Sequence, residues 1–201
     1  MEITVIAQGP IETNIYIISN NEECIIIDPE LTAGNIINKI SELHKTPKAI
    51  LLTHGHFDHI GAVSKLRDYY KIPVYASKNE AALLSDSTLN LSGMIGGNYS
   101  IIADKLLEDN ETLDLIGLHI QCIATPGHTS GSISYLIENC CFSGDTIFEE
   151  SYGRYDFPTG SLEDLRKSIK KLLHLDEKTI IYPGHGNSTT VEHERMYNPL
   201  R

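Results

Sequence analysis

A chain of 201 residues with a formal charge of −11 is long enough for a full hydrophobic core in one domain, and too acidic for a phosphate-backbone partner such as DNA or RNA. Hydrophobic residues make up 41% and charged residues 21%, no run of 18 apolar residues occurs, and Met1-Glu2-Ile3-Thr4 lacks the basic-then-apolar order of a secretory leader. The expectations are a soluble cytoplasmic chain, no membrane partner, and reduced buried thiols at Cys24, Cys122, Cys140 and Cys141, which show no C-x-x-C spacing.

Residues 3–7, 11–19 and 24–28 are rich in β-branched and apolar side chains, with turns at Gly9-Pro10 and Asn20-Asn21, and predict an antiparallel start. A helix follows over 33–44, with Ile36, Ile37, Ile40 and Leu43 on one face and Pro47 as its stop. The apolar run 49–53 reads as a buried strand, and Ile60, Val63, Leu66 and Tyr70 recur at helical spacing. A strand over 72–76 and a short helix over 79–84 come next. Residues 85–103, with Gly93, Gly96 and Gly97, read as a long loop or lid. Strands over 111–116, 119–124, 132–137 and 140–143 suggest a meander. An amphipathic helix from Ser161 carries Leu162, Leu165, Ile169, Leu172 and Leu173, with Ser161 and Asp164 as a capping pair, and a last strand spans 179–182 before a short tail. The strand count exceeds one ordinary sheet, and each half reads as strands followed by a helix. That pattern suggests two sheets packed together with helices outside.

Between the strand 49–53 and the helix from Ile60 lies Thr53-His54-Gly55-His56-Phe57-Asp58-His59. Three imidazoles and a carboxylate in six positions point to a metal site, because imidazoles crowded this closely repel one another if protonated and gain from a cation. The plainer reading makes Asp58 a helix cap and the histidines surface residues. His128, Asp145 and His185 each follow a predicted strand in a glycine-containing turn, the same kind of place.

With these turns in view, the sequence resembles a metallo-β-lactamase-fold hydrolase. Thr53 to His59 matches the T-H-x-H-x-D-H signature, Thr125-Pro126-Gly127-His128-Thr129 the second motif, and Ser143-Gly144-Asp145-Thr146 and Pro183-Gly184-His185-Gly186 the third and fourth. The resemblance implies an α/β fold of the αββα kind, a four-layer sandwich of two mixed β-sheets with helices on both outer faces, spanning residues 1–201 as one domain. It implies two divalent metal ions per chain: His54, His56 and His128 on one, Asp58, His59 and His185 on the other, and Asp145 between them. All-nitrogen and oxygen ligands suit zinc, with iron or manganese as other fits. A carboxylate at position 56 would instead resemble the di-iron flavoproteins, and a cysteine at 145 one large class of β-lactamases. Gly153-Arg154-Tyr155-Asp156-Phe157-Pro158-Thr159-Gly160 and the ending near Asn198-Pro199 are similar to the compact glyoxalase II-like members. The expectation from a sequence of this length is a member without the glutathione-binding C-terminal helical domain of the larger glyoxalase II enzymes, which leaves the thiol carrier open.

The resemblance implies hydrolysis of a small-molecule thioester of the S-2-hydroxyacyl-thiol type, S-lactoylglutathione-like, by a metal-bridging hydroxide that Asp58 orients and deprotonates. Asp28, in Ile27-Asp28-Pro29, resembles a position supporting the ligands from behind, and is nearly as readable as a turn residue. Arg154 faces either a substrate carboxylate or one of the 27 Asp and Glu residues. The alternative is a persulfide dioxygenase with one non-haem iron on His54, His128 and Asp145; a third reading is a metal-binding module without catalysis. His44, His119, His174 and His193 read as solvated or structural.

Overall fold

The computed structural model describes every residue except Gly9, Pro10 and Leu31. The chain opens with β1 (Glu2–Gln8), β2 (Thr13–Asn20) and β3 (Glu23–Ile27), an antiparallel meander. The turn predicted at Gly9-Pro10 lies outside the described residues. Helix α1 (Ala33–Glu42) crosses to β4 (Thr46–Leu51), parallel to β3. Helices α2 (Phe57–Ile60) and α3 (Val63–Tyr70) lead to β5 (Val74–Ser77), and α4 (Ala81–Ser85) to β6 (Lys105–Leu107). These six strands form one mixed sheet in sequential order.

The second half repeats the plan. Strands β7 (Thr112–Leu115), β8 (Leu118–Ala124), β9 (Ile133–Ile137) and β10 (Cys140–Gly144) run antiparallel, as the sequence predicts. A two-stranded hairpin of β11 (Ile147–Phe148) and β12 (Ser151–Tyr152) precedes α5 (Leu162–Leu172). Strand β13 (Ile180–Pro183) returns parallel to β10, and β14 (Thr189–Thr190) and α6 (Val191–Tyr197) finish the chain. The second sheet has the order β14-β13-β10-β9-β8-β7.

Side-chain alternation along the strands makes the layers. On β2 and β3, Ile15, Ile17, Cys24 and Ile26 point outward onto Ile36 and Ile40 of α1 and Val63 and Leu66 of α3. Their neighbours Tyr16, Ile18, Ile25 and Ile27 point inward onto Ile120, Cys122, Tyr135 and Phe142 of the second sheet. On that sheet's outer face, Ile123, Cys141 and Ile181 meet Leu165, Ile169 and Leu172 of α5. Each such side chain contributes roughly 1.5–3 kcal/mol by leaving water. Ser161 Oγ accepts from the Asp164 amide at 3.2 Å and starts α5. The result is the expected αββα sandwich, with all four cysteines buried and unpaired.

Three expectations change. The helix predicted from Ile60 breaks at Gly61-Ala62 into α2 and α3. Helix α1 ends at Glu42, before Pro47 can act as its stop, and Pro47 lies inside β4; it pairs with Cys24 where the register with β3 slips, a place where a residue without an amide proton is tolerated. The tail holds β14 and α6, whose first turn Thr190 caps through the His193 amide. No helix among the described residues is long and apolar enough to cross a membrane.

Candidate metal centre

Strands β4, β8, β10 and β13 all point their carboxyl ends at one rim, and the turn after each carries candidate ligands, as ligand sites in open α/β sheets do. The first turn is held from behind. Asp28, just past β3 and at φ 51°, accepts from the Thr53 amide at 2.8 Å, the Thr53 hydroxyl at 2.5 Å and His59 Nδ1 at 3.0 Å. Aspartate tolerates this left-handed backbone better than most residues. With Nδ1 of His59 so engaged, Nε2 is left to face the rim. The same logic fixes two other rings: His128 Nδ1 donates to the Arg154 carbonyl at 2.7 Å and His185 Nδ1 to the Ile11 carbonyl at 3.0 Å.

All seven predicted side chains meet there. His54, His56 and His128 bring donor atoms within 4.8 Å of one another, as do Asp58, His59 and His185. Asp145 lies between the groups, with Oδ2 3.5 Å from His128 Nε2 and from His185 Nε2, and Oδ1 3.5 Å from His59 Nε2. A third cluster, Asp28 with His54 and His59, is already committed, since Asp28 is saturated by Thr53 and His59.

The arrangement fits a pair of cations. Among the described residues, buried His54 Nε2, His59 Nε2 and Asp145 Oδ1 have no hydrogen-bond partner, although all three face the rim. An orphaned buried polar atom is costly unless something binds it. His56 Nδ1 and His128 Nε2 approach to 2.8 Å, two ring nitrogens converging on one point. Burial, with the neighbouring imidazoles, holds His54 well below the usual histidine range and His56 down to about 3, so both stay neutral and can donate lone pairs. The second group is a charge cluster. Burial opposes ionisation of Asp58 and Asp145 and is the largest single influence on each, yet His59, His185 and the other neighbouring imidazoles together outweigh it and keep both carboxyls far below their ordinary range. Burial likewise opposes protonation of His185, but hydrogen bonds to Asp145 and Asp58 raise it to about 10.

Above this floor opens a cavity of about 490 Å³ with apolar walls from Ile11, Phe57, Leu91, Phe148, Tyr152 and Phe157. Leu91 comes from the segment 85–103. That segment is ordered by Asn90, whose side-chain amide donates to the Tyr99 carbonyl at 2.8 Å and whose own carbonyl accepts from the Phe57 amide at 2.9 Å. Arg154 lines the rim, its guanidinium doubly bonded to Asp156 at 2.9 and 2.8 Å and stacked 4.0 Å over Phe157. Its cation therefore already has a carboxylate partner, while its backbone carbonyl orients His128.

Sequence reading missed the supports that come from far along the chain. Thr13 donates to Asp58 Oδ2 at 3.1 Å, and Glu80 sits behind both histidine turns. Neither lies in a recognisable motif, and only the pairing of β2 with the 183–186 turn brings Thr13 to the site. Gly184 has a steric role: a Cβ there would stand 2.1 Å from Asp145 Oδ1 and 2.8 Å from His59 Cε1. Gly184→Ala should displace both side chains and lower turnover by about 100-fold, the cost of misplacing reacting groups by about 1 Å. Circular dichroism should stay unchanged, and near-normal turnover would show that the crowding is relieved elsewhere.

Comparison with known proteins agrees with this geometry. Residues 9–185 match the family model of the metallo-beta-lactamase superfamily. A probable metallo-hydrolase, YqgX of Bacillus subtilis, is 42% identical over 96% of this chain and 93% of its own length. Hydroxyacylglutathione hydrolase GloC of Haemophilus influenzae is 34% identical over 100% of this chain and 98% of its own. The crystal structure of BLEG-1, described as a B3 metallo-beta-lactamase, superposes with a TM-score of 0.94 at 41% identity, covering 98% of each chain. By sequence, fold and the convergence of its histidines and aspartates, the chain belongs to the metallo-beta-lactamase superfamily.

Proposed function

We propose that this metallo-hydrolase cleaves a small-molecule thioester of the S-2-hydroxyacyl-thiol type at a centre for two divalent ions. The observation that carries the proposal is the convergence of seven histidine and aspartate side chains, of which His56, Asp58, His128, Asp145 and His185 line the floor of an apolar-walled cavity. His54, His56 and His128 would hold one ion and Asp58, His59 and His185 the other, with Asp145 within reach of both groups. Zinc suits this donor set, as do iron and manganese. Such ions, when bound, supply Lewis acidity and bring the pKa of water toward neutrality.

The chain's own residues do the rest. Asp58, kept anionic by His59, accepts the proton of the attacking water. Thr13 and His185 fix its carboxylate in place. Phe57, Leu91, Phe148 and Phe157 surround the acyl group and keep bulk water out. The departing thiol has a pKa of only about 8.5, so no strong general acid is needed. Similarity to GloC supports a 2-hydroxyacyl thioester. A substrate carboxylate would reach Arg154 by competing with Asp156.

The test is a panel of S-lactoyl thioesters on several thiols, with a cephalosporin and a phosphodiester as controls, following release of free thiol by metal-loaded protein. Thiol release that stops on chelation is expected. No release from any thioester, with β-lactam opening or oxygen uptake on a persulfide instead, would overturn the assignment. Oxygen uptake would move it to the single-iron dioxygenase on His54, His128 and Asp145.

A further inference from the structure

Glu80 is a buried carboxylate that the chemistry above leaves unused. It ends the short turn 78–80 after β5, is 1% exposed, and has no cationic side chain among its bonding partners in the described residues. Its bonds instead run to two loops. Oε1 accepts from the Gly55 amide at 2.9 Å, between His54 and His56. Oε2 accepts from the Thr129 hydroxyl at 3.0 Å, next to His128, and the Gly131 amide faces the same carboxylate. Gly131 is needed for this approach, since a Cβ there would lie 2.4 Å from both Glu80 N and Oε2.

We infer that Glu80 is a positioning residue, a brace that ties the His54-Gly55-His56 turn to the His128-Thr129 turn and so sets the separation of the three imidazoles of the first metal position. The inference rests on these three histidines holding one ion. The two turns lie 72 residues apart in sequence and on different sheets, and the Glu80 carboxylate hydrogen-bonds to both. Burial pushes the Glu80 carboxyl up to about 7 against the pull of its three donors. An apolar side chain would fill this space without that cost but could not accept from either turn. Glutamine is not equivalent: its amide group must turn NH₂ toward a backbone N–H on one side or the other, which leaves a donor facing a donor.

The test measures zinc affinity by competition against a chromophoric chelator. It compares wild type, Glu80→Gln, Thr129→Val and Thr129→Ser, each also combined with His185→Ala, which leaves His54, His56 and His128 as the intact set. Glu80→Gln should weaken that set by about 10–100-fold, the range for residues that orient metal ligands. Thr129→Val should weaken it by less, and Thr129→Ser should restore it. In the otherwise native chain one of the two zinc constants should move and the other hold. Equal constants in wild type and variants would overturn the brace, as would equal loss at both positions with a lower melting point of the metal-stripped protein. If Glu80→Gln does not fold, Thr129→Val and its serine rescue decide the matter. A wild type that binds no zinc, iron or manganese would instead remove the metal-centre reading on which the brace depends.

Discussion

Asp58→Asn should lower kcat/KM on a hydrolysed thioester by about 1,000-fold while leaving the circular dichroism spectrum intact. The side chain has three partners around one oxygen: Thr13 Oγ1 at 3.1 Å, His59 Nε2 at 3.2 Å and His185 Nε2 at 3.3 Å. Asparagine keeps the shape, but it has neither the charge that balances His59 and His185 nor the basicity to take a proton from water. If Asp58 only bound an ion, raising metal concentration would restore the rate. Its role as base predicts that saturating metal leaves most of the defect in kcat. Full activity of the variant would remove Asp58 from both roles.

Stripping metal with a chelator should lower the melting temperature by about 10 °C as well as abolish turnover. A ligand present at 1,000 times its dissociation constant stabilises the native state by about 4 kcal/mol. For a chain of this length each kcal/mol corresponds to about 2–4 °C. The physical source is visible at the rim, where, among the described residues, buried His54 Nε2, His59 Nε2 and Asp145 Oδ1 make no hydrogen bond and the charges of Asp58 and Asp145 crowd His59. Differential scanning calorimetry before and after dialysis against chelator, followed by re-addition of zinc, measures the effect. An unchanged melting temperature in protein shown by elemental analysis to have lost its metal would mean that the site contributes nothing to folding.

The candidate ligands were legible because each sits in a short glycine-bearing turn directly after an apolar run, so local pattern alone places it at a strand end. The layers were legible for a related reason: inward and outward residues alternate along β2 and β3, and both sets are large and branched. What supports the ligands was not legible. Thr13, Glu80 and the Arg154 carbonyl act on side chains 45, 49 and 26 residues away, and a lone threonine, glutamate or backbone group carries no spacing signal. The hairpin β11–β12 and strand β14 have two residues each, too few for a period to register. Arg154 shows the limit from the other side. Its motif leaves open a substrate carboxylate or an acidic residue as the partner, and the fold supplies the doubly bonded Asp156 and the ring beneath the guanidinium.

The rim also has a meaning for the unfolded chain. Ligands from distant turns would close large loops when joined by an ion: His56 and His128 are 72 residues apart. A cross-link that closes about 70 residues removes denatured-state entropy worth about 4 kcal/mol at room temperature. An ion held by each group would thus work as a reversible staple, cinching the two halves of the polypeptide at their shared edge much as a disulfide would, but without demanding an oxidising compartment.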